Sequence, residues 1–145
     1  RKRETVTLNE GDRIEDVADG YRPMVVWGNH QEGQRHCVVG SDNRLGGKLA
    51  AERLIAAGAR NLVFLGDSAP IEFAARFAGA KEIAERTGAT IRVLPTHLEP
   101  AQSAEEIARH FSVVADGFDG VFAATDNLAI ACLQELRRRG IAVPD

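Results

Sequence analysis

The chain has few cysteines, few aromatic residues and no long apolar run, and each scarcity excludes a class of protein. Only two cysteines, Cys37 and Cys132, stand among 145 residues, and they form no C-x-x-C pair. No disulfide framework is expected, which favours a reducing, cytoplasmic setting. No apolar run approaches the roughly 20 residues of a membrane-spanning helix, and the N-terminus lacks the apolar core of a secretory signal. We therefore expect a cytoplasmic protein with no membrane partner.

An excess of charge of one sign is also lacking. The chain has 18 Lys and Arg against 21 Asp and Glu, for a net charge of -3, which gives no positive footprint for nucleic acid. Basic residues cluster only at residues 1–3 and 137–139. The first cluster is typical of a solvated end, and the second of the last turn of a helix, where cations complement the helix dipole.

Motifs for catalysis and for cofactor binding are missing as well. The chain has no G-x-G-x-x-G, no phosphate-binding P-loop and no G-x-S-x-G. His30, His36 and Cys37 do not have the spacing of a zinc site, and His97 and His110 have no thiol nearby. We expect no metal, no cofactor and no catalytic residue.

What the chain does contain is a regular alternation of apolar strands and amphipathic helices. Strands predicted to start at Leu62, Ile91 and Val121 are 29 and 30 residues apart, with one helix in each interval. That is the spacing of β-α-β units, which build a parallel sheet. Two further strands are predicted at residues 23–27, where burial is expected, and at residues 36–40. The pattern predicts an α/β fold with a parallel sheet and helices on both faces, a three-layer αβα arrangement.

Four helices are predicted between these strands. Ser103 and Glu106 match the S-x-x-E capping box, which predicts that the third helix starts at Ser103. Asp126 is the predicted N-cap of the fourth helix. Leu128 and Ile130 lie off the apolar stripe of that helix, and this favours a dimer contact there. The predicted helices cover residues 45–57, 73–87, from 103 onward and from 126 to about 139.

Candidate ligand residues come from the turns after the strands, because open parallel sheets bind ligands at the carboxyl ends of their strands. Polar turns occur at residues 41–43, 67–68, 96–98 and 125–126. Arg76 lies on an apolar helical stripe, so its guanidinium needs a partner. That partner is a ligand, or Asp42 or Asp126 across a cleft. A snorkelling side chain or an internal ion pair explains Arg76 equally well, and Asp42 can equally be only a helix cap.

Several of these motifs together resemble the effector-binding core of LacI/GalR-type transcriptional regulators. The resemblance covers roughly residues 23–145 and implies a periplasmic-binding-protein-like type I fold with two Rossmann-like halves. Residues 1–41 are then the incomplete tail of the N-terminal half. Residues 42–145 are the C-terminal half without its last strand and crossover. The motifs are Val39-x-x-Asp42-Asn43-x-x-Gly46-Gly47, Arg76-Phe77-x-Gly79, Phe118-Asp119-Gly120 through Thr125-Asp126, and Val143-Pro144-Asp145.

The same resemblance implies a set of residues that line an effector cleft. Asp42, Arg76 and Thr125 match the binding positions of such regulators. Leu98 stands where these proteins often have an aromatic residue that stacks on a sugar, so sugar stacking is not expected here. With Glu72 and Asp126, which the turns themselves suggest, the full candidate set is Asp42, Glu72, Arg76, Leu98, Thr125 and Asp126.

The implied function is that of a sensing domain for a small molecule, a sugar or a related metabolite. Such a domain controls operator binding allosterically in a homodimer, through a helix-turn-helix that is absent from this chain. An alternative is the substrate-binding protein of a sugar transport system, which shares the fold and predicts an upstream signal peptide. A second alternative is an α/β enzyme of the same topology that depends on Asp67, Glu72 or Asp126.

Overall fold

The chain forms two compact units, Arg1–Ser41 and Asp42–Asp145. A computed structural model describes residues 15–17, 19–20, 25–29, 32–113 and 117–143. In the first unit, strand β1 (Val25–Trp27) pairs in parallel with strand β2 (Cys37–Val39). Both predicted strands are confirmed, although residues 23–24 lie outside the described ranges. The expected burial is wrong, because the two outer residues of β1 are exposed.

The second unit is built on a three-stranded parallel sheet. Its strands are β3 (Asn61–Leu65), β4 (Thr90–Leu94) and β5 (Gly120–Ala123), in the order β4-β3-β5. The central strand β3 pairs in parallel with β4 on one side and with β5 on the other. The four residues at 62–65 are all buried, as expected for a central strand covered on both faces. The parallel sheet predicted from the strand spacing is confirmed.

Helices cover both faces of this sheet. They are α1 (Asn43–Ala56), α2 (Ile71–Thr87), α3 (Pro100–Val113) and α4 (Asp126–Arg138). Leu62 of β3 packs against residues of α1 and α2, whereas Val63 packs in a cluster with residues of α3 and α4. Successive side chains of a strand point to opposite faces, so the three-layer arrangement is confirmed. Within the described ranges, no helix combines the length and apolarity that crossing a membrane requires.

Helix α3 starts three residues before its predicted start. Pro100 is its first residue, and proline suits that position because its φ is preset and its missing N–H is not needed there. The Glu99 carboxylate accepts a hydrogen bond from the Gln102 N–H at 2.8 Å. Ser103 lies inside the helix, where its hydroxyl donates to the Pro100 carbonyl. The predicted capping box of Ser103 and Glu106 is therefore wrong.

Helix α4 also differs from its prediction at the N-terminus. The N-cap is Thr125, whose hydroxyl accepts a hydrogen bond from the Leu128 N–H at 3.4 Å. Asp126 is the exposed first residue of the helix, so its predicted capping role is wrong. Leu128 is buried against Phe64 and belongs to the core, which corrects its assignment to a dimer face. Ile130 is exposed.

The C-terminal turn of α4 holds an ion-pair cluster. The buried Glu135 carboxylate accepts hydrogen bonds from Arg138 Nε at 2.7 Å and from Arg139 Nε at 2.6 Å. Arg139 also donates through Nη2 to the Ala108 carbonyl at 2.8 Å and to Ser112 Oγ at 3.0 Å. Basic residues do occupy the last turn of this helix, as predicted. In addition, Arg139 connects α4 to α3.

This cluster predicts a pH dependence of stability. Hydrogen bonds from Arg138 and Arg139 lower the pKa of Glu135 to about 2. A lowered carboxyl pKa stabilises the folded state above the unfolded pKa, and the stabilisation is lost as the pH falls toward the folded pKa. We expect Glu135→Gln to lower stability at pH 6 and to flatten its decline between pH 5 and pH 2. Urea unfolding across this range measures both effects. The exposed Glu105→Gln is the control, and a decline equally steep in Glu135→Gln would contradict the prediction.

Candidate functional site

The candidate site lies at the edge of the second unit's sheet where the strands end. Because β3, β4 and β5 run parallel, their carboxyl ends share this edge. The polar turns at residues 67–68, 96–98 and 125–126 follow these ends directly. In folds of this kind, ligands bind at such an edge.

Arg76 joins three elements at this edge. The side chain leaves α2, and its Nε donates to Asn43 Oδ1, in the first residue of α1, at 2.8 Å. Its Nη1 donates to the carbonyl of Ala124, directly after β5. The guanidinium carbon lies 5.7 Å from the centre of the Phe73 ring, within cation–π range. The guanidinium is therefore held from two sides at the sheet edge.

The partners of Arg76 differ from those that the sequence predicted. Its hydrogen bonds to described residues go to Asn43 and to the Ala124 carbonyl, so among these residues neither Asp42 nor Asp126 is a partner. Asp42 is instead the N-cap of α1, where its Oδ1 accepts the Leu45 N–H at 2.9 Å. The next residue, the buried Asn43, turns its side chain toward Arg76. The predicted capping role of Asp42 is confirmed, and Arg76 has internal partners that are neutral.

Two glycines bring α1 and α2 close enough for this contact. A Cβ at Gly47 of α1 would lie 1.9 Å from the backbone oxygen of Arg76. A Cβ at Gly79 of α2 would lie 2.0 Å from the backbone oxygen of Arg44. Both distances are far below any real contact, so only glycine fits at either position. The close approach sets Arg76 beside the start of α1.

Of the other predicted site residues, two are sequence neighbours of this group and two lie in the first turns of helices. Thr125 follows Ala124 and Asp42 precedes Asn43, so both are sequence neighbours of the residues that bind Arg76. Glu72 lies in the first turn of α2 and is half-buried, and Asp126 is exposed.

Leu98 does not join the Arg76 group. It is exposed and follows β4, which is separated from β5 by β3. Two strand spacings amount to about 10 Å. Arg76 therefore lies beside the end of β5 and the start of α1, whereas Leu98 lies at the end of β4, beyond β3.

A second polar cluster at this edge was missed by the sequence reasoning. The Glu106 carboxylate accepts the His97 N–H at 2.8 Å and lies 2.8 Å from His97 Nδ1. Gln102 Nε2 lies 3.0 Å from the same ring nitrogen. The backbone hydrogen bond from His97 is the main cause of the lowered pKa of Glu106. The S-x-x-E pattern did mark Glu106 as a capping carboxylate, but it indicated the wrong partner.

Neither polar cluster forms a metal site. In the described part of the chain, no group of three or more His, Cys, Asp or Glu side chains is placed to hold a metal ion. What the edge offers is hydrogen bonding, from a fixed guanidinium, carboxylates and hydroxyls.

Comparison with known proteins gives one family. Residues 51–145 match the model of the periplasmic binding protein-like domain. A search of curated protein sequences finds no match.

Several solved structures with the same fold are described as LacI-family regulators. A sugar-binding transcriptional regulator of the LacI family from Escherichia coli, solved with phosphate, is 26% identical with a TM-score of 0.76, over 97% of this chain and 52% of that one. A putative LacI-family regulator from Sanguibacter keddieii is 30% identical with a TM-score of 0.73, over 86% and 48%. A LacI-family regulator from Enterococcus faecium, solved with ribose, is 24% identical with a TM-score of 0.76, over 92% and 50%.

The chain spans about half the length of these solved structures. Both the family match and the structural similarity cover most of its residues. The chain belongs to the family of periplasmic binding protein-like domains, with the type I fold that LacI-family transcriptional regulators share.

Proposed function

We propose that this chain is part of the small-molecule-sensing domain of a LacI-type transcriptional regulator, with a sugar or a related metabolite as its effector. The solved structures named above support this proposal, because all three are described as transcriptional regulators and one as sugar-binding. The same descriptions favour a regulator over the transport alternative and over an enzyme. Cytoplasmic location and a homodimer are further parts of the proposal.

The observation that carries the proposal is the hydrogen-bonding group around Arg76. Its Nη2 has no partner among the described residues, so donors are available at the sheet edge. Asp42 uses Oδ1 to cap α1, and its second carboxylate oxygen, which has no hydrogen bond to the described residues, is an acceptor beside Asn43. A sugar hydroxyl both donates and accepts hydrogen bonds, so it suits an edge that offers both. We assign Asp42, Arg76 and Thr125 as the central effector contacts, with Glu72 and Asp126 nearby and Leu98 at the far side.

The mechanism that we propose is allosteric. An effector changes operator affinity only to the extent that it binds the two functional states with different affinity. Such coupling free energies are typically about 1–3 kcal/mol, or 5- to 150-fold in affinity. The proposed operator contacts lie in a DNA-binding segment outside residues 1–145.

A ligand screen on the full-length protein tests the proposal. Thermal unfolding is followed with pentoses, hexoses, their phosphate esters and inorganic phosphate, and hits are titrated by calorimetry. A specific ligand at 100 times its Kd is expected to stabilise the protein by about 2.7 kcal/mol. The same ligand should change the affinity for operator DNA in a fluorescence anisotropy assay. Sugar binding without any effect on DNA affinity would instead support the transport alternative.

A further inference from the structure

The contacts of Arg76 leave only part of its guanidinium for a ligand. Arginine has five N–H donors, one on Nε and two on each Nη. Nε–H is taken by Asn43 at 2.8 Å, and one N–H of Nη1 is taken by the Ala124 carbonyl. Among the described residues, Nη2 has no partner. A ligand at this edge therefore meets the guanidinium mainly through Nη2.

Asn43 is rigidly placed to occupy Nε–H. It is the first residue of α1 and only 7% exposed. One turn further on, Gly47 lies directly against the backbone of Arg76 itself. The helix that carries Asn43 and the helix that carries Arg76 are therefore in direct contact next to this hydrogen bond. The contact fixes the separation of the two backbones from which Asn43 and Arg76 extend.

The occupied Nε–H has a consequence for ligand choice. Carboxylates and phosphates pair most strongly with arginine when two oxygens meet two parallel N–H groups. One such pair of donors is Nε–H with Nη2–H, and Asn43 removes it. The other pair joins the two Nη groups, and there the Ala124 carbonyl competes for Nη1. A single hydroxyl oxygen needs only one N–H of Nη2, so it requires neither of these donor pairs.

We propose that Asn43 is a positioning residue for Arg76, and that by holding Nε–H it selects a hydroxyl-bearing ligand over one that presents a carboxylate side-on. The choice of ligand in this proposal rests on the proposed function, whereas the contact between Asn43 and Arg76 does not. Its two parts, the fixed guanidinium and the selectivity, therefore have separate tests.

The first test needs no ligand. In ¹⁵N-labelled protein, the Arg76 Nε–H signal, assigned with Arg76→Lys, is expected to exchange slowly with solvent. Asn43→Leu removes the acceptor at similar volume and should speed the exchange at least tenfold, whereas Asn43→Asp keeps an acceptor and should retain protection. Unfolding midpoints show whether each variant is folded. Equal exchange in the wild type and in Asn43→Leu would overturn the positioning role, and Asn43→Ala, which also lacks the acceptor, serves the same comparison if Asn43→Leu does not fold.

The second test compares D-glucose with D-glucuronate, which differ only at C6, a hydroxymethyl group in glucose and a carboxylate in glucuronate. In the wild type, glucose should bind more tightly than glucuronate. Asn43→Leu should lower the affinity for glucose at least tenfold and reverse the preference. In an Arg76→Lys background, the same Asn43→Leu change should alter glucose affinity less than twofold, because the donor that it positions is gone. An equal loss in both backgrounds would mean a structural role only and would overturn the proposal. If the wild type binds neither sugar, the proposed function is contradicted for these ligands, while the exchange measurement still decides the positioning role.

Discussion

Gly47→Ala is expected to destabilise the Asp42–Asp145 unit by about 3 kcal/mol, the upper part of the usual range for forcing atoms into a packed interior. The added Cβ would lie 1.9 Å from the backbone oxygen of Arg76. Because that oxygen belongs to the backbone of α2, only a displacement of one helix relieves the clash. Such a displacement also separates Asn43 from Arg76, so ligand affinity should fall with stability. Urea unfolding of the two proteins at pH 7 measures the change.

The neighbouring Gly46 provides a matched control. It lies in the same helix, and a Cβ there would meet nothing within 4 Å. Gly46→Ala should therefore stabilise the protein by about 0.5–1 kcal/mol, through helix propensity alone. The two adjacent substitutions have opposite expected signs. If both stabilise the protein, α1 and α2 are not in the close contact described above.

Arg76→Ala is expected to weaken effector binding at least tenfold, or about 1.4 kcal/mol. The substitution removes the donor that we propose for the ligand at the sheet edge. It also takes the arginine partner from Asn43 and from the Ala124 carbonyl, and losing a partner at a buried polar group destabilises by about 1–3 kcal/mol. Calorimetric titration of the ligand found in the screen measures the affinity, and urea unfolding measures the stability.

Two further variants separate these effects. Arg53→Ala removes an exposed arginine from α1 and should leave affinity unchanged within twofold. Arg76→Lys keeps the positive charge but not the planar fork, so affinity should still fall. A folded Arg76→Ala protein with wild-type affinity would remove Arg76 from the effector site.

Much of the local structure was predictable because it depends on residues close together in the chain. The run at residues 61–65 is apolar without interruption, which is typical of a strand buried on both faces, and β3 is such a strand. The strand starts are 29 and 30 residues apart with one amphipathic helix in each interval, and this implies a parallel sheet. Helix ends were less predictable. At α3, Pro100 and Glu99 together provide a better start than Ser103, the residue that the S-x-x-E pattern indicated.

The candidate site was predictable as an edge but not as a set of contacts. The four polar turns and Arg76 were identified from their positions after strands and on an apolar helical stripe. The side chain that binds Arg76 is 33 residues away in the chain, and the packing of α1 against α2 brings the two together. Asp42 and Asn43 are adjacent and both are suitable acceptors, so composition alone favoured the charged one. The pair His97 and Glu106 was missed for the same reason, since its contact depends on where the β4 loop meets α3.

The sequence by itself therefore determined the α/β class, the parallel strands, the family resemblance and the edge at which a ligand is expected. These features follow from periodicity and from short-range hydrogen bonding, which a linear pattern records. Only the tertiary structure decided that Asn43 holds Arg76 and that Gly47 and Gly79 must be glycine. Each of these depends on two helices approaching to backbone contact. That distance is set by the packing of both helices on β3, and no stretch of either helix encodes it alone.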